Sequence, residues 1–353
     1  MKKPKQTPEA AMMQIQKIFE RKGTKALNMA RQAVKEERIK SRKAQQALTY
    51  FITEYWHDTA RPSLMALSCE AVGGDPEITL PVAIPMILIS GAIDIHDDII
   101  DQSKSKDGRP TVYGKFGLEI ALLVGDALLF KGLVLLNKTE VEKIPAETML
   151  QVNDIIKTMF FELGDAEALE LECRRQLDVS PEDYLHIVRM KAADVEAHTR
   201  ISAILGNASS REVEALSEYG RLLGMMIILR DDIIDLLVPE ECRSRITKEC
   251  LPLPLLYGLQ DAARGPELRS QLQGKTISDR RVQEILSTVR NSRAIARHCK
   301  TMEKLASKAM LKLRVLSHNT RELQLLVEAM LPATEEETRA ANPSISTRAE
   351  PGS

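Results

Sequence analysis

Apolar residues recur at spacings of three and four along most of the chain, with polar residues between them. This is the period of an amphipathic α-helix, in which about 3.6 residues complete a turn. Alternating apolar and polar runs of the kind that predict hairpin strands are missing, and the one Asp-Gly pair, Asp107-Gly108, lies in a lysine-rich loop. The pattern predicts an all-α protein with helices near 8–36, 40–57, 61–73, 79–102, 115–136, 145–174, 181–206, 210–237, 248–263, 280–290 and 293–330.

Capping residues and breakers indicate where several helices begin and end. Ser180-Pro181-Glu182-Asp183 is typical of a helix start, and Gly73-Gly74-Asp75 is typical of a stop. Residues 264–279 have the composition of a loop with a short turn. No linker divides 1–331, so we expect a single helical domain there. The segment 332–353 has too few apolar residues to order itself and is predicted to be a disordered tail.

Composition and charge narrow the function classes. The chain has 49 Lys and Arg against 50 Asp and Glu, a net charge of −1, so it lacks the basic field expected of a nucleic-acid-binding protein. No run of about 20 uncharged apolar residues predicts a transmembrane helix, and the N-terminal lysines are not followed by the apolar run of a secretory signal. Five scattered cysteines without a CxxC pair are typical of a reducing compartment, so we expect a cytoplasmic protein.

One five-residue sequence occurs twice, and it carries the candidate chemistry. Residues 97–101 and 231–235 both read DDIID, each inside a strongly apolar helical stretch. Residues three or four apart share a helix face, so the three aspartates of each cluster converge on one patch. The candidate metal-facing and catalytic carboxylates are Asp97, Asp98 and Asp101 in the first cluster and Asp231, Asp232 and Asp235 in the second.

Converging carboxylates on an apolar helix repel one another and lose hydration, which a bound cation would relieve. Oxygen ligands suit Mg²⁺, which often shares its coordination shell with substrate phosphates. Two such helices facing each other would hold a cluster of three Mg²⁺ ions around a diphosphate, bound mainly by Asp97, Asp98, Asp101, Asp231 and Asp235. A single DxxxD segment fits a solvated helix face better. Two identical clusters in apolar surroundings favour metal binding.

The segments around the clusters resemble the trans-isoprenyl diphosphate synthase family. The similarity covers most of residues 50–260 and rests on several motifs in combination. These motifs are Arg61-Pro62, EAVGGD at 70–75, HDDIID at 96–101, GRPTVYGKFG at 108–117, GDALL at 125–129, EALELE at 167–172, Lys191, GMMIILRDDIID at 224–235, and Lys248 followed by Leu251-Pro252.

The resemblance implies the all-α fold of isoprenoid synthases (class I terpenoid synthases), a helical bundle around a central cavity. In that family one subsite holds an allylic diphosphate through aspartates, magnesium and basic side chains. The resemblance places Lys106, Lys191 and Lys248 on this diphosphate, with Lys191 also counted among the catalytic residues, and Arg61 in the second subsite. It also implies a homodimer, because the family usually dimerises through helices.

The second subsite binds isopentenyl diphosphate in the family, and here it departs from the pattern. Asp58-Thr59-Ala60-Arg61 stands where the family has Lys-Arg-x-Arg, Ser90 replaces a histidine, and Asp107 replaces an arginine. Each charge-assisted contact to a diphosphate is typically worth about 1.5–3 kcal/mol. The sequence therefore predicts weak binding of isopentenyl diphosphate. The alternatives are sequence drift at these positions, and a shifted alignment in which Arg42, Lys43 or Lys115 substitutes.

These residues predict magnesium-dependent ionisation of an allylic prenyl diphosphate with release of pyrophosphate, of the terpene synthase type and without isopentenyl condensation. Three alternatives stay open: a chain-elongating synthase, prenyl transfer to another acceptor, and a non-catalytic subunit of a hetero-oligomer.

In the family, aromatic residues four or five positions before the first cluster shorten the product. Ala92 and Ile93 stand there, which predicts a substrate of about twenty carbons or more. Amphipathic outer helices leave a peripheral membrane contact open.

Overall fold

The computed structural model describes residues 8–106, 108–142, 144–274 and 277–331. The all-α prediction is confirmed over these ranges. The first helices are α1 (Pro8–Lys35), α2 (Arg42–Tyr50), α3 (Ala60–Glu70), α4 (Leu80–Ile100), α5 (Val112–Phe116), α6 (Leu118–Glu142), α7 (Ala146–Cys173) and α8 (Pro181–Lys191). They are followed by α9 (Ala193–Leu205), α10 (Ser210–Leu237), α11 (Pro239–Lys248), α12 (Leu253–Leu259), α13 (Gly265–Leu272), α14 (Asp279–Arg290), α15 (Ala294–Leu313) and α16 (Arg321–Met330).

Four short elements complete the described chain. A π-helical turn, Phe51–Tyr55, extends α2, and a 3₁₀ turn, Pro76–Thr79, leads into α4. Two-residue strands, β1 (Ser105–Lys106) and β2 (Arg109–Pro110), pair antiparallel with Lys106 opposite Arg109. The sequence predicts a lysine-rich loop at this place and not a hairpin.

Two long predicted helices are interrupted in the structure. The predicted helix 181–206 is divided at Ala192, where ψ is −1° and α9 begins a new axis. The predicted helix 293–330 is divided by residues 314–320, which contain Ser317-His318-Asn319 and lie between α15 and α16. No proline or glycine marks either break, so the helical period alone could not locate them.

The prediction of one helix at 248–263 is wrong, and the prediction of a loop at 264–279 is wrong in part. The described chain forms α11, an extended segment and then α12. Pro252 and Pro254 lack the N–H that a continuous helix needs and restrict the residue before them. Pro266 lies in the first turn of α13, where the missing N–H costs nothing.

The helices enclose two hydrophobic cores, and each core includes one acidic helix. The core around α4 includes Ile87 and Ile95, and the core around α10 includes Leu223 and Leu229, all of them buried. Helices α1, α3 and α9 contribute side chains to both cores. The two DDIID clusters therefore extend from different cores of one helical assembly.

Glycines let both acidic helices approach their neighbours closely. A Cβ on Gly132 of α6 would lie 2.7 Å from Ile89 Cγ1 of α4, and a Cβ on Gly220 of α10 would lie 2.1 Å from Thr199 Oγ1 of α9. Neither position has space for a larger side chain. This close packing fixes the axial position of each acidic helix.

Among the residues that the structure describes, one helical stretch, Pro76–Ile100, is long and apolar enough by length and composition to cross a membrane. It contains α4, and 67% of its apolar window is buried inside the protein. A helix surrounded by other helices needs such a composition for its own packing. The stretch therefore fits a core helix.

Candidate active site

The first acidic cluster lies at the C-terminal end of α4. Asp97 and Asp101 have side chains 29% and 15% exposed, whereas that of Asp98 is 3% exposed. Lys106 of β1 reaches back to the cluster, with its Nζ 3.1 Å from Asp97 Oδ2 and 2.8 Å from Asp98 Oδ1. The negative end of the helix dipole opposes carboxylates at this position. A hairpin lysine therefore supplies part of the positive charge that the cluster needs.

The electrostatics of this cluster show an excess of negative charge. Burial, and after it the neighbouring Asp97, raises the pKa of Asp101 to about 8. Burial also raises the pKa of Asp98 to about 6, against the opposing effect of Lys106. For Asp97 burial acts in the same direction, but Lys106 and Lys191 outweigh it and hold the pKa below its ordinary value. Protein cations thus outweigh the effect of burial on the pKa of Asp97 but not on that of Asp101.

The second acidic cluster lies near the C-terminal end of α10, and its middle aspartate is fully buried. Asp232 is 0% exposed. The Tyr184 hydroxyl donates hydrogen bonds to both of its carboxylate oxygens, at 2.8 and 3.0 Å, and the Leu253 N–H donates to Oδ2 at 3.1 Å. Arg245 of α11 also donates to Oδ1. Asp232 therefore joins four helices: α8, α10, α11 and α12.

The outer aspartates of the second cluster are more accessible. Asp231 is exposed and Asp235 has a side chain 30% exposed. Partial desolvation, and then the charge of Asp235, raises the pKa of Asp231 to about 6. Arg245 Nε lies 3.5 Å from Asp235 Oδ2, whereas Asp231 forms no salt bridge with any described residue. This cluster therefore also carries uncompensated negative charge.

Lys191, at the end of α8, lies between the cluster helices and α7. Its Nζ is 2.9 Å from Glu167 Oε1, and it also contacts Glu170. Its charge lowers the pKa of Asp97, which places the lysine within electrostatic reach of the first cluster. Glu167 and Glu170 thus hold Lys191 beside the acidic helices.

Lys248 connects the two sides of the site. It ends α11, which begins just after the second cluster, and its Nζ lies 3.4 Å from the carbonyl oxygen of Gln102, one residue beyond the first. On the same side, Arg174 Nη2 lies 3.7 Å from Asp101 Oδ1. The two clusters and the three predicted lysines therefore border one polar region.

The surviving arginine of the predicted second subsite is already paired. Arg61 donates to Asp58 at 2.8 Å, to Asp94 at 3.1 Å and to Asp194 at 2.8 Å. Ser90, at 3.4 Å from Asp194, faces the same group. One guanidinium thus meets three carboxylates, and the surroundings of Arg61 carry a net negative charge. Asp107, the other predicted departure, lies outside the described residues.

The residues predicted to set chain length are packed inside the core around α4. Ala92 is 1% exposed and Ile93 is half-buried. Beside them, a Cβ on Gly91 would lie 3.0 Å from the Trp56 ring and 3.2 Å from Phe51, whose rings stack at 5.1 Å. Although aromatic residues are scarce in the sequence, this aromatic pair flanks α4 close to the chain-length positions.

Several charged residues at the site were not among the sequence candidates. Arg245 has the strongest contacts with the second cluster, and Asp94 and Asp194 occupy Arg61. Asp94 could have been found from the sequence, because it lies three residues before Asp97 and four before Asp98 and so shares their helix face. Within the described ranges no three acidic, histidine or cysteine side chains converge as a ready-made metal site. Lys106 and Arg245 lie among the carboxylates instead.

Comparison with known families identifies the class of protein that carries this arrangement. The family profile described as Polyprenyl synthetase matches residues 44–289, a range that contains both clusters and all three lysines. The chain belongs to this family.

Curated relatives share part of this region. A geranylgeranyl diphosphate synthase of Methanosarcina mazei is 34% identical over 187 residues, which is 53% of this chain and 57% of the relative. A short chain isoprenyl diphosphate synthase of Methanothermobacter thermautotrophicus is 35% identical over 183 residues, 51% of this chain and 55% of the relative. The chain therefore spans little more than half the length of these curated relatives.

Solved structures extend the similarity over most of the fold. The geranylgeranyl pyrophosphate synthetase from Pyrococcus horikoshii has a TM-score of 0.78 and 25% identity, covering 90% of this chain and 98% of that one. The heptaprenyl diphosphate synthase from Staphylococcus aureus has a TM-score of 0.76 and 21% identity, covering 88% of this chain and 97% of that one. The predicted isoprenoid synthase fold is confirmed.

Proposed function

We propose that this protein is a magnesium-dependent prenyl diphosphate synthase that ionises an allylic prenyl diphosphate and joins its chain to isopentenyl diphosphate. The curated relatives named above are diphosphate synthases. They favour this chain-elongating reaction over the sequence prediction of ionisation without condensation. The observation that carries the proposal is the arrangement of both acidic clusters, Lys106, Lys191 and Lys248 around one polar region.

The donor set fits magnesium. The clusters offer carboxylate oxygens, the ligands preferred by this hard cation. Burial and neighbouring carboxylates raise the pKa values of Asp101 and Asp231 by more than the nearby protein cations lower them. We propose that Asp97, Asp98 and Asp101 on one side, with Asp231 and Asp235 on the other, hold up to three Mg²⁺ ions. Bound magnesium would supply positive charge to the leaving pyrophosphate.

The side chains of this protein have three further tasks in the proposed reaction. Lys106, Lys191 and Lys248 orient the diphosphate by contacting its outer oxygens, after exchanging their present carboxylate or carbonyl partners for the more highly charged ligand. Their fixed positive charges stabilise the pyrophosphate as negative charge develops on it. The apolar flanks of α4 and α10 keep water from the allylic cation.

Product analysis tests the proposal. Purified protein with Mg²⁺ is incubated with geranylgeranyl diphosphate, with and without labelled isopentenyl diphosphate. We expect a longer labelled diphosphate only in the second reaction, and chelation of the metal should abolish it. A parallel reaction with shorter allylic diphosphates tests the proposed substrate length of about twenty carbons or more.

A second candidate function is ionisation without isopentenyl diphosphate, and the surroundings of Arg61 favour it. Three carboxylates already occupy this guanidinium, and they would repel a second diphosphate. In the same assay this reaction gives hydrocarbon or alcohol whether or not isopentenyl diphosphate is present. A prenylated product that needs a different acceptor, or no turnover at all, would instead favour the other two alternatives.

A homodimer is the second part of the proposal. Helices α6 and α7 present large apolar side chains to solvent, among them Leu123, Phe130, Leu150 and Phe161, which are 59–72% exposed. Large apolar side chains exposed on two successive helices fit a protein–protein interface. Light scattering should give the mass of two chains, and the double variant Leu123→Glu/Phe161→Glu should give the mass of one chain.

Cytoplasmic location and peripheral membrane contact stay predictions.

A further inference from the structure

The middle aspartate of the second cluster is 0% exposed and accepts hydrogen bonds from three protein donors. A carboxylate offers about four lone-pair sites, two on each oxygen. On Asp232, Oδ1 accepts from the Tyr184 hydroxyl and from Arg245, and Oδ2 accepts from the Tyr184 hydroxyl and from the Leu253 N–H. The Tyr184 hydroxyl shares its single proton between the two oxygens, so three donors surround the carboxylate. Because Asp232 is 0% exposed, a metal ion could reach it only by moving one of these donors aside.

The donor most difficult to displace is Arg245. Its guanidinium also contacts Glu249, the residue that follows its own helix, and its Nε lies 3.5 Å from Asp235. Its side chain is 16% exposed, and those of Asp232 and Glu249 are 0% and 11% exposed. Separating such a buried group from its partners would leave an uncompensated charge in the protein interior.

Arg245 also connects the second cluster to the segment that carries Lys248. Lys248 lies three residues after Arg245 and one before Glu249, and the backbone of Leu253 binds Asp232 just beyond them. Asp232 thus holds this segment at both ends, through Arg245 on one side and the Leu253 N–H on the other. The direction of the Lys248 side chain, towards the Gln102 carbonyl, depends on that segment.

We infer that Asp232 is not a metal ligand and that Arg245 is a positioning residue, which withholds Asp232 from the metal and orients Asp235 and Lys248 towards it. The inference rests on the proposed magnesium-dependent function. It makes the two identical clusters unequal, because the second offers only its outer aspartates, Asp231 and Asp235.

Binding of inorganic pyrophosphate at varied Mg²⁺ concentration, measured by calorimetry, tests the inference without turnover. We compare Asp231→Asn with Asp232→Asn, which remove the same charge from adjacent positions. Asp231→Asn should raise the Mg²⁺ concentration at half-saturation about tenfold or more, the scale of a lost ligand. Asp232→Asn keeps the shape of the side chain and one acceptor oxygen for Arg245, so it should leave this concentration within about twofold of the original protein, while the lost charge lowers the urea midpoint of unfolding.

Variants of Arg245 separate positioning from a merely structural role. Arg245→Met should raise the Mg²⁺ requirement about fivefold in protein that is still folded, and Arg245→Lys should recover part of this loss because it restores the charge. If Arg245→Met lowers only the unfolding midpoint, the positioning role is refuted. A shift for Asp232→Asn as large as that for Asp231→Asn would show that Asp232 is a ligand.

Two controls keep the outcomes separable. Where Asp232→Asn alone does not fold, the double variant Asp232→Asn/Arg245→Gln removes both charges together and should fold. Its Mg²⁺ requirement should match that of the single Arg245→Met variant. If the unsubstituted protein shows no magnesium-dependent pyrophosphate binding, the proposed function fails and the inference fails with it. Normal binding in that protein with equal effects at Asp231 and Asp232 overturns the inference alone.

Discussion

The two DDIID clusters have the same sequence and occupy the last turns of long helices, yet their surroundings differ. In the first, the buried Asp98 is paired with Lys106, a lysine 44% exposed on a short hairpin. In the second, the buried Asp232 is held by a tyrosine hydroxyl, a backbone N–H and a buried arginine. The partner of Asp98 can move away at low cost, whereas the partners of Asp232 belong to the core.

The difference shows that a repeated motif does not carry a repeated role. The helix places three carboxylates on one face in both cases, but packing decides which of them face a ligand. Asp98 has a counter-ion that a metal could replace, whereas Asp232 connects four helices. The first cluster is thus suited to ligand exchange, and the second combines ligand binding with structural support.

The largest expected effect concerns the outer aspartates of both clusters. Asp97→Asn and Asp231→Asn each remove a carboxylate that faces the proposed metal ions, so pyrophosphate release should fall roughly 10²–10³-fold, as when one preorganised stabilising group is lost. Steady-state release at saturating Mg²⁺ measures this loss. Asp154→Asn, at an aspartate 68% exposed on α7, is the control and should keep full activity. An unchanged rate in either cluster variant would remove that cluster from the reaction.

The free energy of unfolding should respond differently to substitutions in the two clusters, with the larger loss in the second cluster. Asp232→Asn takes from Arg245 the charge of its most buried partner and should lower the free energy of unfolding by about 3 kcal/mol. Asp97→Asn should change it by less than about 1 kcal/mol, because Lys106 is a partly exposed partner. Urea denaturation of metal-free protein provides both values. Equal losses for the two variants would contradict the structural role of Asp232.

A smaller effect follows from the pKa of Asp101, which is raised to about 8. Between the ordinary carboxyl pKa near 4 and this value, the folded protein binds a proton that the unfolded chain does not. The free energy of unfolding of metal-free protein should therefore fall as pH rises through this window, by on the order of 1 kcal/mol per unit. Asp101→Asn should flatten the profile. Added Mg²⁺ with pyrophosphate should stabilise the protein more at pH 8 than at pH 6, because the metal favours the ionised carboxylate.

The smallest difference concerns the neighbours of the buried aspartates. Tyr184→Phe removes the hydroxyl that bonds Asp232 and should cost about 1 kcal/mol of stability. Lys106→Met removes a partly exposed ion pair and should stay within about 0.5 kcal/mol of the original protein. Thermal unfolding of the two variants in one buffer compares them. A greater loss from Lys106→Met would show that the first cluster is also part of the structural core.

The helical fold and the position of the clusters could be predicted because both are local properties. Apolar spacing identifies α4 and α10, and Ser209 begins α10 with a capping box that the sequence displays. The charge around Arg61 could not be predicted in the same way, since Asp194 is 133 positions away. Arg245 was missed for a different reason. It lies in α11 (Pro239–Lys248), a helix that falls between the predicted helices 210–237 and 248–263.

The two hydrophobic cores have a consequence for how the protein responds to its ligand. A cation cluster that coordinates Asp97 and Asp231 together would tie one core to the other through the substrate. Opening of either half would then have to break that link, so the two halves would unfold as a single cooperative unit. Amide hydrogens of α4 and α10, which belong to separate cores, would become protected in parallel when magnesium and pyrophosphate bind.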